Sequence, residues 1–266
     1  MSSTVAAISG FLPLEGGVNF RDIGGYHTHD GRMVRRGRVF RTGVLCYLTE
    51  ADSLRLKSLG VRRIFDLRRT NERTQEPTRW PDAAVISHTW DDGPEPPSAM
   101  RFAKANEMSP HGMREAMLAL YEALPDWMAP RLRDFFKVLR EEHTPTVIHC
   151  AAGKDRTGIA VALLLHALGV RHEDILRDYL LTNEVGNLEQ FMTVRKAIQL
   201  GVGDAKHPLS EMDVERRRVL LVADPDYLDA ALRHIDRNHG GIDSYLERAL
   251  QITPAAREQL QQALLI

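Results

Sequence analysis

Cysteine is scarce: the 266-residue sequence contains only two, Cys46 and Cys150. A disulfide between them is allowed on count alone, but such low usage fits a reducing compartment better than a disulfide-built scaffold. Long apolar runs are also missing. The best, Ile159–Leu168, is about half of what a membrane span needs, so no stable membrane insertion is expected. Neither sign of charge is in excess: 35 lysines and arginines stand against 36 aspartates and glutamates. That balance carries no polyanion signature, and nucleic acid is not an expected partner. The opening stretch, MSSTVAAISGFLPLEGG, has no basic n-region and no long apolar core, so it does not read as a secretory signal. A cytoplasmic location is expected, with secretion lacking a recognisable signal left open. The eleven histidines show no metal-ligand spacing such as HExxH, so neither a catalytic metal nor a cofactor is expected. Internal repeats and low-complexity tracts are absent, as is any linker long enough to separate domains. One domain over residues 1–266 is the expectation. Nothing in the sequence bears on oligomeric state.

What is present is an ordinary globular balance, 43% hydrophobic and 27% charged. Glycines punctuate the N-terminal third at Gly16-Gly17, Gly24-Gly25, Gly31 and Gly37, which predicts short strands and turns. Val39–Arg41 reads as a strand. A helix follows, with Thr49 as N-cap, Asp52 three residues on and Gly60 as its stop. Strands are predicted at Val61–Leu67, Val85–Trp90 and Thr146–Ile148. The middle of the chain predicts two helices, Met113–Ala123 and Trp127–Leu139, broken at Pro125. Ile159–Leu168 reads as a helix buried all round. Beyond His172 the pattern is almost wholly helical. Residues 188–221, two helix candidates around the loop GVGDAKHP, read as a candidate helical lid. The order of elements predicts one α/β domain with a helical C-terminal half.

Chemistry concentrates in Val147–Gly158, VIHCAAGKDRTG. A short apolar strand ends at His149, a compact loop follows, and a buried helix begins near Thr157. Such a loop aims several backbone N–H groups at one point, and the helix dipole adds positive potential. The small residues Ala151, Ala152 and Gly153 let the backbone curl around an anion. Arg156 supplies a planar fork that matches two phosphate oxygens. A thiol held in such a field has its pKa lowered from about 8.5 toward the range ~3.5–7.5, and a thiolate is a competent nucleophile. Cys150 is therefore the candidate nucleophile, and Thr157 can donate a hydrogen bond to its sulfur. Two other readings fit a cysteine loop: a silent phosphoresidue-binding module, and sulfur transfer.

The loop resembles the signature HCxxGxxR[ST]G of the protein tyrosine phosphatase superfamily at His149, Cys150, Gly153, Arg156, Thr157 and Gly158. Lys154-Asp155 narrows the resemblance to the atypical bacterial-type tyrosine and lipid phosphatases with HCxAGKDRTG. Asn19–Tyr26 (NFRDIGGY), Arg38–Gly43, Ile64–Arg68, Ile175–Asn183 and Tyr227–Leu250 are also similar to that family. The resemblance implies a twisted sheet of about four or five strands flanked by helices. It implies a phosphomonoesterase working through a phosphocysteine intermediate on phosphotyrosine proteins, with dual-specificity or phosphoinositide activity as extensions.

Several further residues have two readings each. Asp155 is the candidate general acid, against a loop-stabilising ion pair. Asp82 lies in Trp80-Pro81-Asp82, the acid-loop tripeptide of better-known tyrosine phosphatases, but far from the nucleophile in sequence; Asp91 and Asp92 are a third option. Lys154 is either a charge for polyanionic head groups or a surface lysine. Arg41 and Arg68 stand at strand ends, where open α/β sheets bind ligands, yet ion pairs with Asp22 or Asp66 explain them more simply. His149 is expected to orient the loop, and Cys46 to be structural.

Overall fold

The structure, a computed structural model, describes residues 10–93, 96–105, 108–189, 191 and 213–266. Its centre is a five-stranded sheet. The strands are β1 (Arg21–Asp22), β2 (Val39–Thr42), β3 (Arg63–Asp66), β4 (Ile86–His88) and β5 (Thr146–His149), in the order β1-β2-β5-β3-β4. β1 is antiparallel to β2, and all other pairs are parallel. Between them lie helices α1 (Glu50–Lys57), α2 (Thr70–Gln75), α3 (Ala99–Ala105) and α4 (Pro110–Glu142). After β5 the described chain is helical: α5 (Asp155–Leu168), α6 (His172–Leu180), α7 (Thr182–Val185), α8 (Val214–Leu221), α9 (Pro225–His239), α10 (Ile242–Arg248) and α11 (Pro254–Leu264).

The period-2 alternation of the strands divides the core. Phe40, Ile64 and Val147 are aligned across the sheet and pack with Leu56 of α1 on one face. Val39, Phe65 and Ile148 face the other way, into the larger cluster built by α4, α5 and the C-terminal helices. Helix α1 starts as its sequence predicts: Thr49 accepts from Asp52 N at 3.1 Å, and Asp52 reaches back to Thr49 N at 3.1 Å.

The expected break at Pro125 does not occur. One helix of 33 residues, α4, runs through Pro125 and Pro130. An interior proline costs about 3 kcal/mol, but buried Tyr121, Leu124, Met128, Leu132, Phe135 and Phe136 continue one apolar stripe across both prolines. Each such side chain contributes roughly 1.5–3 kcal/mol of burial, which outweighs the local penalty. Tyr245 also donates to the Pro125 carbonyl at 2.7 Å.

Most of the candidate lid, residues 192–212, lies outside the described residues. Its described flanks pack near the loop after β5: Leu188 and Leu221 share a small apolar cluster with Val18 and Ala152.

Candidate active site

Parallel strands β2, β5 and β3 end in register at Thr42, His149 and Asp66. The loop from Cys150 to Lys154 leaves the central strand there, at the carboxyl edge where open α/β sheets take ligands. It is tied down by its carbonyls. The Ala151 carbonyl accepts from Val44 N at 2.9 Å. The Gly153 carbonyl accepts from Asn19 Nδ2 at 2.9 Å and from Arg41 Nη2 at 2.8 Å. In a trans peptide the next N–H points the opposite way, so the amides of Ala152 and Lys154 turn toward the concave side. Among the described residues, none of the amides of Ala151 to Lys154 donates to a backbone carbonyl. Gly153 makes this turn at φ 68°, and a Cβ there would lie 2.5 Å from the Thr42 carbonyl carbon.

The scaffold behind the loop is ionic. Asp178 lies between two fully buried arginines, Arg21 at 3.1 Å and Arg41 at 2.5 Å. Burial opposes its charge, yet the two guanidiniums hold its carboxyl below the usual range. Arg41 is thus a structural residue as expected, but its partner is Asp178 rather than Asp22 or Asp66. Arg68 does pair with Asp66, at 2.7 Å. Asn19, at φ 60° and 1% exposed, donates also to Thr182 Oγ1 at 3.3 Å.

Cys150 is 1% exposed, and both cysteines are free, so no disulfide joins them. Cys46 is half-buried, its Sγ 3.9 Å from Glu76 Oε1. Arg156 follows on the first turn of α5. Its two Nη atoms donate to the two oxygens of Glu72 at 2.7 and 2.8 Å, and Nη1 also reaches the Leu67 carbonyl at 3.2 Å. Glu72 is 3% exposed. Burial opposes its charge, but Arg156 and Arg69 outweigh that and hold its carboxyl at about 2. Sequence reading missed Glu72. It stands at the N3 position of α2, where it accepts from Arg69 N at 2.8 Å, and this capping pattern was the one signal along the chain.

Asp155 Oδ1 accepts from Tyr121 at 2.7 Å and stands 2.9 Å from Lys154 Nζ. Among the described residues nothing donates to Oδ2, and the side chain, 23% exposed, lines a cleft with Arg156. Tyr121 in turn shares a 2.7 Å hydrogen bond with Tyr179. Burial, with Asp155 close by, raises both phenols well above their usual range, so both stay protonated donors. Neither tyrosine was singled out from the sequence. Lys154 is not a surface lysine: it is 1% exposed and donates to the Val222 carbonyl at 3.0 Å, with its ammonium 5.7 Å from the Tyr227 ring centre.

His149 is fully buried, 3.5 Å from Asp66, with Nδ1 3.3 Å from the Cys150 carbonyl. Burial lowers its pKa to about 4, so the ring is neutral at pH 7. Thr157 is also fully buried, but its hydroxyl has no hydrogen-bond partner among the described residues, so the expected bond to sulfur is not formed. Of the other carboxylates, Asp82 lies away from the loop, whereas Asp92 borders the cleft, its carbonyl accepting from the cleft residue Trp127 at 2.9 Å. Asp82 pairs with Arg62 at 3.2 Å, and Arg62 precedes β3 at the sheet's amino edge, opposite Cys150. Asp92 accepts from Thr70 N at 2.9 and 3.0 Å at the start of α2, and the Asp91 carbonyl accepts from Arg131 at 2.8 Å.

A cleft opens in front of Asp155 and Arg156. Met100, Met117, Leu124, Trp127 and Leu220 wall it, with Arg69 in the lining. Elsewhere, Asp126 accepts from His234 and His239 at 2.8 Å each, bridging α4 and α9. Spacings along the sequence give no sign of that cluster.

Comparison with known proteins converges on one family. The model of the tyrosine phosphatase family matches residues 12–266. A putative tyrosine-protein phosphatase of Cupriavidus necator is 33% identical over 243 residues, covering 89% of this chain and 83% of that protein. The triple specificity protein phosphatase PtpB of Mycobacterium tuberculosis is 28% identical over 259 residues, covering 89% and 92%. A tyrosine-protein phosphatase of Nostoc commune is 31% identical over 144 residues, covering 52% and 46%. No helix among the described residues is long and apolar enough to cross a membrane.

Proposed function

This chain belongs to the tyrosine phosphatase family and is a hydrolase of phosphoric monoesters; we propose that residues 1–266 form one catalytic domain that dephosphorylates tyrosine in proteins through Cys150. The carrying observation is the loop itself. The Ala151 and Gly153 carbonyls are bound to Val44, Asn19 and Arg41, which turns the amides of Ala152 and Lys154 the opposite way. Phosphate oxygens there take the amides of Ala152 and Lys154 and the Arg156 fork, held ready by Glu72. The Cys150 thiolate attacks phosphorus, the P–O bond to the substrate breaks, and phosphocysteine forms. Asp155 delivers a proton from Oδ2 to the departing oxygen, because Tyr121 and Lys154 already engage Oδ1. The same carboxylate then takes a proton from the water that splits the S–P bond. Lys154 acts by fixing Asp155, and Thr157 keeps its free hydroxyl for the sulfur or a phosphate oxygen.

The relative named a triple specificity protein phosphatase supports a substrate range wider than phosphotyrosine, and phosphoserine, phosphothreonine and phosphoinositides are the extensions proposed. The apolar walls of the cleft favour an aryl phosphate first. Turnover of phenyl phosphate and a phosphotyrosine peptide tests the reading. Cys150→Ser is expected to lower turnover by ~10⁴-fold or more while peptide affinity persists. Substantial turnover by a clean Cys150→Ser preparation would refute Cys150 as nucleophile. Peptide binding with no turnover by the unsubstituted chain would make it a silent phosphoresidue-binding module.

A further inference from the structure

We propose that Arg69 is a second anion-binding residue of the cleft, which selects phosphotyrosine peptides carrying an acidic side chain close to the phosphotyrosine. This rests on the phosphatase reading above and adds a determinant of peptide sequence to it.

Two guanidiniums that line the cleft share one buried carboxylate behind it, Glu72. Arg156 takes both oxygens of Glu72, at 2.7 and 2.8 Å. Arg69 is left with a longer contact from Nε to Glu72 Oε2, 3.3 Å. Its Nη2 is buried and has no hydrogen-bond partner among the described residues, although the residue is only 7% exposed. A buried, charged donor without an acceptor is costly, and the place where an acceptor can arrive is the cleft that Arg69 lines together with Asp155 and Arg156. The scissile phosphate is already served by Arg156 and the loop amides. The group that satisfies Arg69 must therefore sit elsewhere on the substrate, within reach of the same cleft.

The walls decide which anion this is. Met100, Met117, Leu124, Trp127 and Leu220 offer an aryl ring apolar contact. An inositol ring would leave its hydroxyls without partners against them. A peptide places a tyrosine ring on those walls and carries a carboxylate from a neighbouring residue to Arg69. A guanidinium suits this role because its planar fork meets a carboxylate with two parallel bonds.

The test uses phosphotyrosine peptides in which one glutamate is moved through the two positions on either side, each paired with its glutamine counterpart. Affinity is measured by calorimetry on the full chain carrying Cys150→Ser, so no turnover is needed. At one position the glutamate peptide should bind on the order of tenfold more tightly than its counterpart. Adding Arg69→Gln should remove that preference, and Arg69→Lys should keep part of it. Thermal melts check that each variant folds; should Arg69→Gln fail, the reduced preference of Arg69→Lys carries the test. Equal affinity for every pair overturns the proposal, as does a preference that survives Arg69→Gln. An equal loss for both members of a pair would mean that Arg69 acts only through Glu72. If Arg69→Gln weakens an inositol bisphosphate head group and leaves the peptide pairs untouched, the peptide assignment is wrong. Phenyl phosphate turnover by the unsubstituted enzyme, measured in parallel, reports on the phosphatase reading alone.

Discussion

At the level of single residues, the proposed mechanism makes Asp155 and Tyr121 a pair, joined by a 2.7 Å hydrogen bond. The tyrosine hydroxyl, kept protonated by burial, holds Oδ1 and leaves Oδ2 for the substrate. Replacing the acid hurts most when the leaving oxygen is a poor one, because a good leaving group departs without a proton. Asp155→Asn should lower kcat by ~10²–10⁴ on a poor leaving group and far less on a good one. Tyr121→Phe should show the same pattern at reduced size, since it loosens the aim and keeps the carboxylate. Asp82→Asn should leave both substrates unchanged, because Asp82 pairs with Arg62 at the far edge of the sheet. A leaving-group dependence that follows Asp82 instead would reverse the assignment.

The loop after β5 is held as one element by Arg41 of β2, the Val44 amide and Asn19. Gly153 is where these contacts crowd most. An added Cβ would sit 2.5 Å from both the carbon and the oxygen of the Thr42 carbonyl, at φ 68°. β2 would have to move, and a shift of about 1 Å at the cradle costs on the order of 10²-fold in rate. Gly153→Ala is therefore expected to lose at least that much kcat/KM and to melt at a lower temperature. Gly31→Ala is the control. Gly31 has φ 88° with nothing among the described residues within 4 Å, so it should lose only about 1–2 kcal/mol of stability from backbone strain and keep its turnover.

Across the whole molecule, buried titratable groups make stability fall on the acid side in two windows. His149 takes its proton at about 4 in the fold because of burial, against 6.5 in the unfolded chain. Below 6.5 the unfolded state binds the extra proton, so stability declines as pH falls toward 4, by about 3 kcal/mol in total. Glu72 runs the other way in charge but in the same direction with pH. Its carboxyl is held at about 2 against 4.5, so its contribution is complete above 4.5 and is lost as pH falls through about 2. Denaturant melts between pH 7 and 3 should show the first decline in the native sequence and a flatter curve for His149→Gln. An equal slope in both proteins would assign the acid sensitivity to other groups.

The sequence alone determined the strand–loop–helix around Cys150, and it carries the proposal of Cys150 as nucleophile and of the loop as a phosphate cradle, because these readings are local: Cys150 to Arg156 lie on one short stretch of chain. It also determined the capping box at Thr49 and the α/β layering, which follow from short-range periodicity. Only the tertiary structure decided what lies behind that loop. Glu72 meets Arg156 across 84 residues, Asp178 meets Arg41 across 137, and Tyr121 meets Asp155 across 34. No spacing rule links such pairs; burial selects the partner, because a charge removed from water must find its counterion wherever the fold brings one. The same cause carried α4 through Pro125. A proline's local penalty is visible in any sequence, whereas the apolar stripe that overcomes it acquires its energy only when the sheet and the C-terminal helices close over it.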